Sequence, residues 1–228
     1  MATSGTTTFD LSIDDIIEEA YERCGVRTSS GYDLKSARRS LNIMLSEWGN
    51  RGVHLWKVEL KEQLLSAGTQ TYTAPTNAND VLEAYISTTT GTTSSTNDVS
   101  LTKISRSEYA ALPNKGSQGQ PSQYYVDRQT IPTITLYQTP DASTYTYLKY
   151  YYLKRIEDAG AYTNQADVVF RFIPCMVSGL AYYLSMKKNP QLVQQNKLLY
   201  EDELQRALTE DGQRTSVYIT PQNYFPQG

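Results

Sequence analysis

Few residues in this chain are of types that perform chemistry at neutral pH. His54, in RGVHLW, is the single histidine. A general base must sit beside the group it serves, and no serine, cysteine or carboxylate pair lies near it in sequence, so it reads as structural, with pH sensing as its other role. Cys24 and Cys175 each fall in an apolar helical stretch, far apart and without a second ligand at metal spacing. Two buried free thiols are expected in preference to a disulfide or a zinc site. Asp14, Asp15, Glu18 and Glu19 bring glycan cleavage to mind. That reaction needs two carboxylates facing each other across a substrate, roughly 5 to 9.5 Å apart, whereas these four share the first turns of one helix, where acids favour the helix dipole. A solvated face is the simpler reading. No glycine-rich phosphate loop, HExxH, nucleophile elbow or CxxC occurs, so the sequence predicts no enzyme, no cofactor and no metal.

Lys35, Arg38 and Arg39, spaced by three and one, share a helix face and are candidates for contact with DNA or an acidic partner; a solvated face is the competing reading. The 228 residues carry 21 Lys+Arg against 24 Asp+Glu, a net charge of -3. The balance holds in every segment: six basic to eight acidic up to His54, nine to ten from there to residue 164, six to six afterwards. Strong stand-alone DNA binding is therefore not expected. The oddity of composition is 19 Tyr beside 4 Phe and 2 Trp, with twelve of the tyrosines in residues 55–165 and five in TYTYLKYYYLK.

These residues need elements to position them. Ile13, Ile16, Ile17, Ala20, Tyr21 and Cys24 form a helical stripe; Ser12 and Asp15 make a capping box and Gly25 a stop. Leu34, Ala37, Leu41, Met44, Leu45 and Trp48 form a second stripe, closed by Gly49 and Gly52. Period-two alternation in WKVELKEQL, TQTYTAP, VLEAYIST, SQYYVDR, TITLYQT and TYTYLKYYYLKR predicts six or seven strands, with a Thr-rich loop at 88–97 and a short helix capped by Ser105 and Glu108. Helical period returns at Phe172, Met176, Val177, Leu180, Ala181, Tyr183 and Leu184. It continues at Val193, Tyr200, Leu204, Ala207 and Leu208, with Asn189 as N-cap and Pro190 after it.

Neither pair of helices can bury its stripes alone. The expected fold is therefore α+β: a four-helix bundle of two helical hairpins, residues 1–54 and 165–211, with an all-β sandwich or barrel-like module inserted at 55–164. Residues 212–228 would form an extended C-terminal arm, whose Tyr218, Ile219, Tyr224 and Phe225 need somewhere to dock. MATSGTTTFD has neither a basic n-region nor an apolar h-region, so no secretory leader is expected. No apolar run is long enough to span a bilayer, and no membrane partner is expected.

The second helix reads ARRSLNIMLSEWGNRGVHLW, with Leu41, Asn42, Met44, Leu45, Trp48, Gly52, Leu55 and Trp56. Further on come LLSAGTQTYTAP, GQPSQYYVD with Gly119, Pro121, Tyr124 and Tyr125, ITLYQTPD with Pro140 and Asp141, and finally VVFRFIPCMVSGLAYYLSMK and EDELQRALTEDGQRTS. In order and spacing these resemble the head-to-tail adaptor (connector) proteins of tailed bacteriophages, especially short-tailed ones, over residues 10–220. Val169 departs from the proline expected before the RF pair in many relatives, and nothing carries over to the Thr-rich loop.

The resemblance implies a virion protein of the tail or neck, made in the host bacterial cytoplasm and free of catalysis. Twelve copies would form a ring that docks under the portal protein, continues the DNA channel, serves genome retention and ejection, and gives the tail nozzle or tube its platform. Double-stranded DNA would pass through without sequence-specific binding. On this reading Lys35, Arg38 and Arg39 face the channel or portal, the arm docks on the portal or a neighbour, and Tyr124, Tyr125, Tyr145 and Tyr147 contact the tail or an adjacent subunit. The alternatives are a tail-associated glycan-cleaving enzyme built on the acidic first helix, and a glycan- or receptor-binding module using β-loop tyrosines.

Overall fold

The computed structural model describes residues 5, 7, 9, 11–27, 31–51, 55–92 and 97–212. The chain divides into two compact units, Met1–Ala37 with Val169–Gly228, and Arg38–Val168. Among the described residues no helix is long and apolar enough to cross a membrane. His54 and the arm at 213–228 lie outside the described residues.

In the first unit, α1 (Ile13–Arg23) buries Ile13, Ile16, Ile17, Ala20 and Tyr21. Its start is fixed reciprocally: the Asp15 N–H donates to the Ser12 hydroxyl at 3.2 Å, and the Ser12 N–H to the Asp15 carboxylate at 3.0 Å. The chain leaves at Gly25, whose φ of 68° suits a residue without Cβ. α4 (Ile173–Lys188) follows a 3-10 turn at Phe170–Phe172, with Pro174 in its first turn, where no backbone bond is lost. A second 3-10 turn, Pro190–Leu192, leads into α5 (Val193–Asp211). α4 packs against both α1 and α5, which is why it buries residues on almost every side, Ser178 and Ser185 included. Polar pins join the elements. The Ser178 hydroxyl donates to Glu203 at 2.5 Å, Arg171 pairs with Asp211, and the Cys24 thiol donates to the Ala181 carbonyl at 3.0 Å. Asn189 holds the N-cap position of the Pro190–Leu192 turn, with Pro190 after it as expected, but makes no side-chain capping hydrogen bond; its side-chain amide donates to the Cys24 carbonyl at 3.1 Å.

α2 (Gly31–Asn50) crosses the division between the units at Ala37. In the second unit, β1 (Val58–Leu64), β3 (Ala78–Ser87), β4 (Asp98–Ser100) and β10 (Tyr147–Lys154) form a sheet in the order β1-β10-β3-β4. β2 (Thr71–Thr73), β5 (Thr102–Ile104), β7 (Gln123–Asp127) and β8 (Thr133–Tyr137) form a second, β2-β8-β7-β5. β6 (Gln118–Gly119) pairs with β9 (Thr139–Pro140) in parallel, and α3 (Arg106–Ala111) carries the Ser105–Glu108 capping box. One apolar cluster draws on both large sheets: Ala84, Ile86, Leu148, Tyr150 and Tyr152 from the first, Tyr72, Tyr124, Val126, Ile134 and Leu136 from the second. The described residues hold ten strands where alternation announces six or seven, because β4, β5, β6 and β9 are too short to display a period.

The class is α+β, but the expected four-helix bundle of two hairpins is not formed. The described residues hold five helices distributed over two units. The long pair α4–α5 packs together with α1, whereas the α2 stripe of Leu41, Met44, Leu45 and Trp48 belongs to the unit that contains the strands. A helical stripe reports that one face must be buried and leaves open what buries it.

Two side chains in the second unit give stability predictions. The Tyr150 hydroxyl is buried with no hydrogen-bond partner among the described residues, so the ring supplies the stabilisation and the hydroxyl opposes it. Tyr150→Phe is expected to match or exceed the wild type by up to about 1 kcal/mol in urea unfolding, and Tyr150→Ala to lose about 3–5 kcal/mol. Asp80 accepts from the Val81 N–H at 2.8 Å, pairs with Arg128 and lies 3.7 Å from the Lys103 ammonium. Burial alone would raise its pKa; the Arg128 hydrogen bond, the Lys103 charge and the Val81 N–H outweigh burial and hold the carboxyl below its usual range. A depressed folded pKa stabilises above the unfolded value of about 4 and loses that contribution as pH falls through the folded value. Asp80→Asn should cost about 1–3 kcal/mol at neutral pH, and the difference between variant and wild type should shrink as both are titrated into acid.

Candidate functional site

Several of the chemistry-bearing side chains are committed to local structure. Asp15 serves the α1 cap, and its hydrogen bonds with Ser12 hold its pKa down. Glu19 pairs with Arg23 at 2.9 Å, one turn along. With Asp14 and Glu18 they line the exposed side of α1, and no second carboxylate group faces them across a substrate-sized gap within this element. Burial pushes the Cys24 thiol up to about 11 and the Cys175 thiol up to about 12, so neither is a nucleophile near neutrality. Among the described residues no group of three or more His, Cys, Asp or Glu could hold a metal.

The three basic residues of α2 have separate fates. Lys35 and Arg39 are exposed and take no ion pair among the described residues. Arg38 is half-buried: its guanidinium donates to the Gly160 carbonyl at 3.2 Å and lies 5.3 Å from the Tyr162 ring centroid. One turn on, the Asn42 side-chain oxygen accepts the Ala159 N–H at 2.7 Å. Asp167 pairs with the buried Lys57 ammonium and accepts the Glu157 N–H at 3.1 Å. Arg38, Asn42 and Lys57 thus strap the segment after β10 onto its own unit. That segment and α2 bound a cleft of about 360 Å³, lined by Asn42, Ser46, Asn50, Asn79, Arg155 and Asp158. Its three amides and one hydroxyl share the lining with apolar Leu45, Leu153 and Ile156 and with charged Lys154, Arg155, Glu157 and Asp158, a mixed surface that suits contact with a polypeptide or water.

The tyrosines divide in the same way. Tyr124 is buried, its hydroxyl donating to the Leu82 carbonyl at 3.0 Å. Its side chain is core and offers no outer surface. Tyr125 is half-buried and stacks on Tyr109, centroids 5.7 Å apart. Tyr145 packs on the apolar cluster and Tyr147 is half-buried on the opposite side of β10. These half-buried rings leave area for a partner. Tyr218, Ile219, Tyr224 and Phe225 lie outside the described residues.

Sequence reasoning passed over Lys149. It is buried on the outward face of β10, where its ammonium donates to the Gly91 carbonyl at 2.5 Å and to Asp98 at 3.2 Å. Glu62, opposite it on β1, accepts the Gly91 N–H at 2.7 Å. Both backbone groups of Gly91 are held, so the near end of the Thr-rich loop is tied to the sheet. The signal was a charge at the third position of YLKYYYLK, set by strand period on the face of Tyr147 and Tyr151.

A comparison with curated proteins finds no match. A comparison with protein families finds the SU10 adaptor protein family over residues 8–223, a span that takes in both units. The chain therefore belongs to the SU10 adaptor protein family and is a structural adaptor of the phage virion, associated with portal and tail components.

Proposed function

We propose that the protein works as a ring of twelve copies in a short-tailed phage, docked under the portal, continuing the DNA channel and giving the tail nozzle or tube its platform. The family match along residues 8–223 carries this reading. Several physical features agree with it. A closed ring joins two different surfaces of the same chain, so each copy alone should expose apolar side chains that assembly covers. Tyr32 at 70%, Leu198 at 63% and Ile43 at 52% exposure are such side chains. The helical unit built on α4 contacts the portal and lines the channel, and α2, which runs through both units, turns Lys35 and Arg39 toward the lumen or portal. The half-buried Tyr125, Tyr145 and Tyr147 of the other unit face the tail or a neighbouring copy, and the arm with Tyr218, Ile219, Tyr224 and Phe225 docks during assembly. Asp15 and Glu19 are committed to a cap and an ion pair, which weighs against the glycan-cleaving reading, although Asp14 and Glu18 stay exposed on the same helix.

A conduit must let DNA slide, because each phosphate neutralised adds affinity and hence friction. With Arg38 committed to Gly160 and Tyr162, Lys35 and Arg39 are the cations of that group without an ion pair among the described residues. The affinity of the purified protein for duplex DNA should therefore fall with salt along a logarithmic slope no steeper than about −2; a much steeper slope would identify a DNA-gripping protein. The ring itself is tested by electron cryomicroscopy of the protein mixed with its portal. Twelvefold rings on the portal are expected, and truncation after Asp211 should leave a folded chain that docks more weakly. Free monomers without portal affinity would overturn the reading.

A further inference from the structure

α2 turns one continuous stripe to solvent. Tyr32, Lys35, Arg39 and Ile43, separated by three, four and four residues, share one face of that helix, and all four are exposed. The cations in the middle take no ion pair among the described residues. DNA sliding past offers such a face only phosphates, which answer the cations and leave Tyr32 and Ile43 uncovered. A cationic middle between apolar ends is instead the surface of a protein contact.

The same chain carries the counterpart. Asp14, Glu18 and Glu22 recur every four residues along the exposed side of α1, and Leu11, 37% exposed, stands just before the Ser12 cap. Asp15 and Glu19 have partners in their own helix, whereas these three carboxylates take no ion pair among the described residues. Leu11 and Glu22 are eleven positions apart, as are Tyr32 and Ile43. In each stripe the two central charges stand one turn apart, about 6 Å along the axis. Laid antiparallel, Leu11 meets Ile43, Asp14 meets Arg39, Glu18 meets Lys35 and Glu22 meets the Tyr32 hydroxyl. Laid parallel, Glu22 is set on Ile43, a carboxylate against an apolar side chain. The antiparallel order satisfies every group. Within one copy these charges do not pair, so the complementarity is left for another.

We propose that the exposed face of α1 in one copy docks antiparallel on the α2 stripe of the next, pairing Asp14 with Arg39 and Glu18 with Lys35, with Leu11 on Ile43 and Glu22 on Tyr32. The two surfaces are unlike and lie on the same chain, so the contact repeats head to tail and gives a ring its direction; here the proposal rests on the ring reading. Exposed ion pairs add little affinity each. Their part is register and the rejection of wrong neighbours, while Leu11, Ile43 and Tyr32 supply the covered apolar area. A contact between neighbouring copies opens on the lumen along its inner edge, so this seat agrees with the inward position proposed for Lys35 and Arg39.

The test uses full-length chains with the charges exchanged. One carries Asp14→Lys and Glu18→Lys, which makes both of its stripes basic at the centre; the other carries Lys35→Glu and Arg39→Glu, which makes both acidic. Alone, each meets its like at every contact, and ring assembly on the portal, followed by sedimentation and electron cryomicroscopy, should need about tenfold more protein than the wild type. A one-to-one mixture restores every contact by alternation around the proposed ring of twelve, and one chain with all four substitutions restores it too; both should assemble within about twofold of the wild type. The four side chains are exposed, and urea unfolding checks that each chain is folded. Glu18→Lys mixed with Lys35→Glu repeats the exchange without touching the first turn of α1 and should show the same pattern more weakly. Wild-type rings together with normal assembly of either reversed chain, failure of both rescues, or rescue by the fourfold chain but not by the mixture would overturn the docking and leave the ring standing. A wild type that forms no ring, with reversed chains that bind each other and not themselves, would keep the docking and remove the ring. No association of wild-type or mixed chains would remove both.

Discussion

The second unit depends on β10 being paired on both sides. Its residues Tyr147–Lys154 run against β1 on one flank and β3 on the other, so its backbone is spent within the sheet and its side chains must sort by face. Leu148, Tyr150 and Tyr152 enter the apolar cluster; Tyr147, Lys149 and Tyr151 point the other way. The tyrosine-rich run thereby does two jobs at once. Inward rings fill a core that also draws on the second sheet, while the outward row holds the Lys149 cluster that ties down Gly91. A one-residue slip would exchange those roles and bury a lysine against Ile86 and Leu136.

Local elements could be read from the sequence wherever the signal is local. The Ser12–Asp15 and Ser105–Glu108 boxes are carried by four residues each, and both helices begin where those residues say. The strand alternation in TITLY and YLKYYYLK likewise needs no distant information. Higher organisation was less legible. The α2 stripe is real, yet periodicity is blind to the partner, and the two units divide within that helix. Asn189 stands at the N-cap position that its type and place announce, but the distant contact it makes, amide to the Cys24 carbonyl, carries no local signal.

The candidate residues show the same limit. Spacing groups Lys35, Arg38 and Arg39, because helix geometry makes them neighbours. It cannot foresee that a carbonyl and a ring from the segment after β10 would occupy Arg38 and leave the other two exposed. Tyr124 and Tyr125 are adjacent in sequence and opposite in fate, one core and one half-buried, as strand period requires once the buried face is known. Function was legible through the ordered set of glycines, prolines and aromatics along most of the chain, which reflects a shared build and carries no catalytic group.

The buried cysteines bear on durability. Burial raises both thiols well above neutrality, which keeps them protonated near pH 7, and it is the thiolate that reacts with oxidants and disulfides. A particle that waits outside any cell meets dissolved oxygen and peroxide with no reductase to repair it. Placing both sulfurs inside the helical unit lets such a protein age slowly in air, without adventitious cross-links and without a disulfide to hold it together.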